Sequence, residues 1–291
     1  MTPAPPTGYR LVRLATGAHT IKALDCGETF HPVIGPVAEA QALYLRQMRL
    51  PERLRAATDE FVIWDVGLGA AANPLTILAA TRAIPARIRL ESFEKTLDPL
   101  RFALSHVSEL GYFTGYEFAL ERLLETNSVH FVNGVQAVDW HLHLGDFPTL
   151  QAEAAAHLPG RRFPAPHAIL FDAFSPARNP AMWTLPLFRD LFRLLDPARP
   201  CAMPTYSRST MLRVTLFLAG FYVGAGHATG EKEETTIAAN TLALIEQPLD
   251  RKWLARAARS TSAEPMSEPT YAQAPLLPET KAQLESHPQF R

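Results

Sequence analysis

The sequence predicts an α/β fold built on a mostly parallel sheet with an antiparallel edge at its C-terminal end. Apolar runs bounded by turn residues alternate with longer stretches of helical periodicity, which is typical of βα units. Glycines follow the first of these apolar runs, where a parallel sheet often binds a ligand. The last two β-rich runs have no helical pattern between them, so we expect them to form an antiparallel hairpin.

Five short apolar runs are predicted to be the parallel strands. They are residues 61–66, 87–93, 138–144, 167–171 and 201–205. Pro204 weakens the fifth prediction, because proline cannot donate a hydrogen bond to a neighbouring strand. The edge hairpin is predicted over residues 221–225 and 235–245.

The same patterns divide the chain into three predicted regions. They are an N-terminal hairpin and helix extension (1–50), the sheet-containing domain (51–247), and a basic helix with a proline-rich tail (248–291).

Local patterns support the two flanking regions. Residues 9–14 and 19–24 flank a Thr-Gly turn and predict a small hairpin, and residues 36–48 have helical periodicity. Residues 251–259 carry four positive charges and no negative one, which predicts a helix with a solvated basic face more than a phosphate-binding patch. Prolines cluster at both chain ends, which we expect to be weakly ordered.

The composition excludes several classes of protein. Of the 291 residues, 47% are hydrophobic and 20% charged, with 28 basic against 29 acidic side chains, as in soluble globular proteins. No window approaches the ~18 apolar residues of a membrane span, and the N-terminus lacks a signal-peptide pattern, so we expect a cytoplasmic protein with no membrane association. Cys26 and Cys201 are too few for a disulfide framework or a cysteine-based zinc site.

A glycine loop follows the first parallel strand. Gly67 and Gly69 come directly after the strand and before a helical stretch, where the chain must turn tightly and a helix N-terminus offers unpaired N–H groups. The spacing Gly67-x-Gly69-x-x-Ala72 fits the loose dinucleotide pattern G-x-G-x-x-G/A. A glycine turn that merely joins strand to helix is an equally good interpretation of this loop alone.

Carboxylates follow the next three strands. Glu94 ends the second strand and could accept hydrogen bonds from ribose hydroxyls, Asp146 follows the third, and Asp172 ends the fourth. The carboxyl ends of parallel strands meet at one edge of the sheet, so we expect these side chains to converge with Gly67. A dehydrogenase also uses the glycine loop and the second-strand acid, but Asp146 and the turn after Asp172 fit S-adenosylmethionine better. Taken one at a time, each of these acids could equally be a helix-capping residue or a surface turn residue with no ligand-binding role.

The turn after the fourth strand, DAFSPARNPAMWT, combines polar groups with two rigid prolines. Methyl transfer from a sulfonium to an amine needs a positioned neutral nitrogen and an acceptor for its proton, and Asp172 could serve as that acceptor. Phe174 and Trp183 could stack on a flat substrate such as a base. The alternative is a capping loop in which both aromatic side chains belong to the core.

These motifs resemble the methyltransferase family of wobble-uridine tRNA modification, the MnmC-like family. The family comprises the N-terminal domain of the bifunctional 5-methylaminomethyl-2-thiouridine biosynthesis enzyme and its stand-alone relatives. The likeness runs from about residue 29 to residue 239. It rests on DVGLGAAAN (65–73), FEK (93–95), GD (145–146), DAFSPARNPAMWT (172–184), TYS followed by Arg213, AGF (219–221) and GEKEE (230–234).

The resemblance implies a Rossmann-like class I fold and an S-adenosylmethionine-dependent methyltransferase that acts on the exocyclic amine of 5-aminomethyl-(2-thio)uridine in tRNA. Carried over to this chain, it assigns the substrate amine to Asp172. The implied cofactor-binding residues are Asp65, Gly67, Gly69, Asn73, Glu94, Lys95 and Asp146, with the glycines facing the methionine moiety, Glu94 the ribose and Asp146 the adenine. The implied substrate-binding residues are Phe174, Pro176, Asn179, Trp183, Tyr206 and Lys232.

The resemblance also limits the expected chemistry. A second nucleotide fingerprint is absent from the sequence, so we expect no flavin and only the terminal methylation. The partner implied is tRNA, and no protein partner can be inferred. His130, His141 and His143 have no cysteine nearby, and we expect no metal.

Some positions depart from the family pattern. Asp65 stands where the family more often has glutamate, Ala70 and Ala71 where it has threonine and glycine, and Glu233 where it has arginine. Because an anion near a phosphate weakens binding, Glu233 supports a second hypothesis, a methyltransferase acting on a small-molecule amine. A third hypothesis is a non-catalytic module that binds the cofactor without turnover.

The segment before the sheet is similar to the family's lead-in segment. Residues 29–39 could close over the site and bring Glu28, His31 or Glu39 near the substrate. A packing role is the simpler interpretation.

Overall fold

The structure, a computed structural model, describes residues 8–31, 33–156, 163–230 and 233–291. The chain forms two compact units. Unit 1 comprises Met1–Asp146, Leu170–Asp172 and Ala228–Glu233. Unit 2 comprises Phe147–Ile169, Ala173–His227 and Glu234–Arg291. The three regions drawn from the sequence, with boundaries at residues 50 and 247, stay a prediction.

Ten strands lie within the described residues. They are β1 (Tyr9–Arg13), β2 (His19–Ala23), β3 (Phe61–Val66), β4 (Ala86–Glu94), β5 (Ser128–Asn133), β6 (Gln136–Leu144), β7 (Ala168–Phe171), β8 (Ala202–Thr205), β9 (Tyr222–Gly226) and β10 (Thr235–Ala239). Strands β1 and β2 form the predicted N-terminal hairpin, and the other eight form a sheet in the order β5-β6-β4-β3-β7-β8-β10-β9.

Eleven α-helices connect or flank these strands in the described part of the chain. They are α1 (Pro36–Ala40), α2 (Leu50–Ala56), α3 (Ala72–Thr81), α4 (Asp98–Leu104), α5 (Val107–Leu110), α6 (Glu117–Thr126), α7 (Phe147–Ala156), α8 (Leu185–Leu194), α9 (Thr210–Ala219), α10 (Arg251–Ala257) and α11 (Pro278–Glu285). A π-helix (Gln41–Arg46) continues α1, and short 3-10 helices span Pro180–Trp183, Leu242–Leu244 and Pro288–Phe290.

The α/β prediction with a mostly parallel sheet is confirmed. Strand β3 pairs in parallel with β4, β4 with β6, and β7 with β8. All six residues of β3 are buried, as expected for a central strand covered on both faces. Strand β10 pairs antiparallel with both β8 and β9, which confirms the C-terminal edge hairpin.

The sheet has a second antiparallel edge that the sequence analysis missed. Strand β5 pairs antiparallel with β6 and joins it through the two-residue turn Gly134-Val135. Gly134 has φ 63°, and a Cβ atom there would lie 2.3 Å from the carbonyl oxygen of Arg82, so only glycine fits. Glycine at the first position of a two-residue turn is typical of a hairpin.

Two predicted boundaries are wrong in detail. The helix predicted over residues 36–48 is helical, but α1 gives way to a π-helix at Gln41. The strand predicted to reach residue 245 ends at Ala239, because a 3-10 turn begins at Leu242.

The C-terminal tail is well packed, which overturns the expectation of weak order there. Helix α11 and the following 3-10 helix belong to unit 2, and Phe290 is only 2% exposed. Its ring lies 4.8 Å from Phe217 and 6.4 Å from Trp253, measured between centroids. Proline density is therefore a poor guide to order in this segment. The proline cluster at the N-terminus lies in residues 1–7, outside the described residues.

None of the helices in the described ranges is long and apolar enough to cross a membrane. The basic helix predicted near residue 251 is present as α10, and its Asp250 caps the N-terminus by accepting from the Trp253 amide.

Candidate active site

The carboxyl ends of four strands meet in unit 1. Three backbone hydrogen bonds join them: the Asp172 amide donates to the Val66 carbonyl (3.0 Å), the Gly67 amide to the Phe93 carbonyl (3.0 Å), and the Gly145 amide to the Glu94 carbonyl (2.8 Å). The residues that directly follow β3, β4, β6 and β7 are thereby held side by side. This is the convergence that the sequence predicts.

Glu94 organises the glycine loop. Its Oε2 accepts from the Gly69 amide at 2.8 Å, and its Oε1 accepts from the amides of Lys95 (2.7 Å) and Thr96 (3.3 Å). Burial raises the pKa of this carboxyl, although the three amides act in the opposite direction. Gly69 has φ 52°, and a Cβ there would lie 3.3 Å from the Phe30 ring. The loop thus requires glycine for its conformation and for the close approach of Phe30.

Asp65 is a buried carboxyl with one orphaned oxygen. Its Oδ2 accepts from the Ser92 hydroxyl at 2.8 Å, and the indole Nε1 of Trp140 donates to that hydroxyl at 2.9 Å. Its Oδ1 has no hydrogen-bond partner among the described residues. Burial raises the pKa of Asp65 to about 7, with further contributions from the charges of Asp172 and Glu94. A buried acceptor left without a partner costs free energy, which marks Asp65 as an unusual position within the sheet.

Asp172 lies at the end of β7 and meets two side chains. The Nδ2 of Asn73, in the first turn of α3, donates to its Oδ2 at 2.7 Å. The Nε2 of His31 lies 3.6 Å from the same oxygen. Asn73 is itself buried and its Oδ1 has no partner among the described residues. Asp172 is therefore oriented from two elements that are distant in sequence.

Lys95 and Asp146 lie near the ends of β4 and β6. Lys95 Nζ is 3.6 Å from Asp146 Oδ1, and the lysine side chain is 78% exposed. An ion pair this exposed contributes little stability, so both groups can exchange partners readily.

The aromatic residues of the turn after Asp172 belong to unit 2. Trp183 is 1% exposed, with its ring packed against Tyr206 (6.0 Å between centroids) and Phe188 (6.5 Å). Its Nε1 donates to the Phe174 carbonyl at 2.7 Å, while the Tyr206 hydroxyl donates to the Ala173 carbonyl at 3.1 Å. Trp183 is thus packed in the core of unit 2, as in the alternative that the sequence left open, and its stacking role stays a prediction. Phe174 and Tyr206 are half-buried.

The remaining predicted substrate residues are less defined. Pro176 is half-buried, and the amide of Asn179 donates to the Ser175 carbonyl at 2.8 Å before the 3-10 helix begins at Pro180. Lys232 lies outside the described residues. The functional roles of all these positions stay predictions.

Several site residues had no clear sequence signal. Ser92 and Trp140 lie inside β4 and β6 and resemble ordinary strand residues, yet they connect to Asp65. The apolar Phe30 covers the glycine loop without any motif of its own. Within the described residues, no group of three or more His, Cys, Asp or Glu side chains could hold a metal ion.

Comparison with known proteins shows which family the chain is similar to. Residues 124–241 match the model of a family described as S-adenosyl-L-methionine-dependent methyltransferase. The chain is 30% identical over 274 residues to the tRNA 5-methylaminomethyl-2-thiouridine biosynthesis bifunctional protein MnmC of Methylibium petroleiphilum, covering 90% of this chain and 39% of that protein. It is 32% identical over 227 residues to the MnmC of Aeromonas salmonicida, covering 74% of this chain and 33% of that protein. The chain thus spans little more than a third of the length of these relatives.

A solved structure shows the same fold. The crystal structure of MnmC2 from Aquifex aeolicus superposes with a TM-score of 0.69 at 23% identity, covering 97% of this chain and 85% of that one. The fold, the family match and the relatives agree with the resemblance carried by the glycine loop and the turn after Asp172. The chain belongs to the S-adenosyl-L-methionine-dependent methyltransferases, in the family that includes the MnmC proteins.

Proposed function

We propose that the chain methylates the exocyclic amine of 5-aminomethyl-(2-thio)uridine at the wobble position of tRNA. The observation that carries this proposal is the carboxylate of Asp172, held by Asn73 and faced by His31 beside the glycine loop. The MnmC relatives are named for the biosynthesis of 5-methylaminomethyl-2-thiouridine in tRNA, and their similarity extends over up to 90% of this chain. A site with an oriented carboxylate suits an amine substrate.

The chain's own residues have two tasks in such a reaction. The amine nitrogen must present a lone pair, and after gaining the methyl group it must lose a proton. Asp172 can accept a hydrogen bond from the amine, which aims the lone pair, and it can receive the departing proton. Asn73 fixes the carboxylate for this task, since its Nδ2 donates to Oδ2 at 2.7 Å.

S-adenosylmethionine would supply the methyl group as an electrophile on a sulfonium. Asp65 would bind its cationic amine, because Oδ1 of this buried carboxyl has no partner among the described residues. Glu94 would accept from the ribose hydroxyls, since its Oε2 retains a lone pair beyond its bond to the Gly69 amide. Asp146 would accept from the adenine amine. Neither a flavin nor a metal has a part in this scheme.

A second candidate substrate is a small-molecule amine. The Glu233 side chain is exposed, where the family pattern has an arginine. The neighbouring Glu234 is paired with the buried Arg213 at 3.1 Å, so Glu233 is the acid of the two that a phosphate would meet. Such a charge change would weaken an RNA backbone contact without affecting a small amine.

The proposal is tested by incubating the purified protein with S-adenosylmethionine and tRNA that carries 5-aminomethyl-2-thiouridine, followed by nucleoside mass spectrometry. A gain of one methyl group on that nucleoside is the expected result. Asp172→Asn keeps the shape of the side chain but removes its charge, and we expect it to abolish most of the gain.

Salt dependence separates the two candidate substrates. For tRNA, affinity should fall steeply as salt rises, because phosphate contacts release bound counterions. Methylation of free aminomethyl nucleoside at the same rate as of tRNA, with little dependence on salt, would contradict the tRNA proposal and favour the small amine.

A further inference from the structure

A buried histidine lies between two carboxylates at this site. His31 has Nε2 3.6 Å from Asp172 Oδ2 and Nδ1 3.9 Å from Glu39 Oε2, and its side chain is 9% exposed. A neutral imidazole has one N–H donor and one lone pair, so one of the two carboxylates would face a lone pair. Both distances are longer than a hydrogen bond, and Nδ1 has no hydrogen-bond partner among the described residues, so the two carboxylates act on the ring through their charges, which favour a protonated ring. The geometry therefore favours an imidazolium.

The backbone at His31 is in a sparsely populated conformation. Its φ of 47° lies in the left-handed region, which costs free energy for a residue with a side chain. The preceding residue is held by β2: the Phe30 amide donates to the Ile21 carbonyl at 2.8 Å, and the Thr20 hydroxyl donates to the Phe30 carbonyl. Strain of this kind persists only when the surroundings fix it, so the position of the ring between the carboxylates is strongly determined.

The charged surroundings of His31 come from several elements. Among the described residues, Glu39 faces it from α1 and Asp172 from the end of β7, while the buried Tyr112 shares with it the lining of a small cavity. Burial by itself would lower the pKa of His31, but the carboxylates of Asp172 and Glu39 raise it above its ordinary value. The charges of Asp172 and Glu94 in turn help to raise the pKa of the buried Asp65 carboxyl.

We propose that His31 is a positioning residue: as an imidazolium bridging Glu39 and Asp172, it holds Asp172 as an oriented carboxylate and favours the neutral form of an amine bound beside it. The inference rests on the proposed amine methylation. A cation near an amine disfavours the protonated ammonium, and only the neutral amine has the lone pair that methyl transfer needs. The proton that the ammonium loses goes to solvent before transfer.

The first test measures the protonation of the His31 side chain in the whole chain. Imidazole NMR signals are followed through a pH titration in the wild type, in Glu39→Gln and in Asp172→Asn. We expect His31 to titrate above the ordinary value of about 6.5 and each variant to lower its pKa, since each removes one carboxylate. A wild-type His31 that titrates at or below that value, or that is unaffected by both variants, overturns the proposal.

The second test reads the consequence for methyl transfer. The pH dependence of kcat is measured for His31→Gln and for His130→Gln, a matched control at an exposed histidine that lies 3.1 Å from Asp139. We expect the acid limb of the kcat–pH profile to lie about one pH unit higher in His31→Gln than in the wild type. Without the imidazolium, the bound amine stays protonated up to a higher pH. The control should keep the wild-type profile.

The outcomes distinguish this inference from the proposed function. A His31 variant whose kcat falls equally at every pH overturns the positioning role, because a purely structural defect has no pH signature. If the wild type methylates no amine at any pH, the proposed function itself fails, whereas the NMR titration still decides whether the imidazolium bridge exists.

Discussion

The Nδ2 atom of Asn73 donates a hydrogen bond to Oδ2 of Asp172 at 2.7 Å, which ties the first turn of α3 to the end of β7. The two residues are 99 positions apart in sequence, yet they form a direct polar link between the glycine-loop helix and the carboxylate proposed to meet the substrate. This bond fixes the carboxylate relative to the loop that would hold the methyl donor. It is therefore the first contact to test.

Asn73→Ala should slow methyl transfer by about 10- to 100-fold, because a hydrogen bond to a charged group contributes about 1.5–3 kcal/mol. The measurement is single-turnover methylation with saturating cofactor. In a double-mutant cycle, Asn73→Ala should add little to Asp172→Ala, since both remove the same bond. Fully additive effects would show that Asn73 acts by another route.

Asp65 should make the protein less stable as pH rises. Its pKa is about 7 in the folded protein against 3.8 in the unfolded chain, so between these values the folded state binds more protons and stability falls with pH. A shift of this size corresponds to about 4 kcal/mol above pH 7. The free energy of unfolding, measured in urea, should therefore be higher for Asp65→Asn than for the wild type at pH 8. The two values should converge near pH 4. A difference that is independent of pH would contradict this prediction.

Glu94→Ala should weaken S-adenosylmethionine binding by about 10- to 100-fold. The variant lacks the carboxylate that accepts from the Gly69 amide and that would accept from the ribose hydroxyls. Isothermal calorimetry gives the dissociation constant, and hydrogen exchange at Gly69 should accelerate. Glu109→Ala, at an exposed glutamate of unit 1, is the matched control and should bind S-adenosylmethionine with the wild-type dissociation constant. Unchanged affinity in the Glu94 variant would exclude it from the cofactor site.

Trp183 tests the distinction between a core and a stacking residue. Trp183→Ala should lower the free energy of unfolding by about 3–5 kcal/mol, as for other large buried aromatic residues. Trp183→Phe keeps an aromatic ring but loses the bond to the Phe174 carbonyl and part of the buried volume, so it should destabilise less than Trp183→Ala, with little change in the substrate KM. A large rise in KM without loss of stability would restore the stacking role.

Phe290 tests the packing of the tail. Phe290→Ala should lower the free energy of unfolding by about 3–5 kcal/mol, since its ring is buried against Phe217 and Trp253. Leu277→Ala, at an exposed position of the same tail, should change it by less than about 0.5 kcal/mol. Equal stability of both variants would mean that the tail does not contribute to the fold.

Local sequence patterns predicted the central strands of the sheet well, but they missed the edge strand β5 and the packing of the C-terminal tail. Strands such as β3 and β7 are short and fully buried, and burial on both faces favours such apolar runs in a parallel sheet. Strand β5 alternates exposed and half-buried residues at an edge, so its pattern is weak, and only the glycine of the Gly134-Val135 turn identifies it. The tail was misjudged because its few buried residues, Leu284 and Phe290, are separated by polar ones and gain their partners from distant helices.

By itself, the sequence determined the α/β class, the glycine loop, the family and the convergence of Glu94, Asp146 and Asp172. These depend on periodicity, on backbone conformations that require glycine, and on the rule that parallel strands end at one edge. Only the tertiary structure decided that Trp183 is core, that Ser92 and Trp140 support Asp65, and that His31 lies between Asp172 and Glu39. Burial, the state of a proton and the partner of a carboxylate all depend on residues far apart in the chain, which no local pattern can encode.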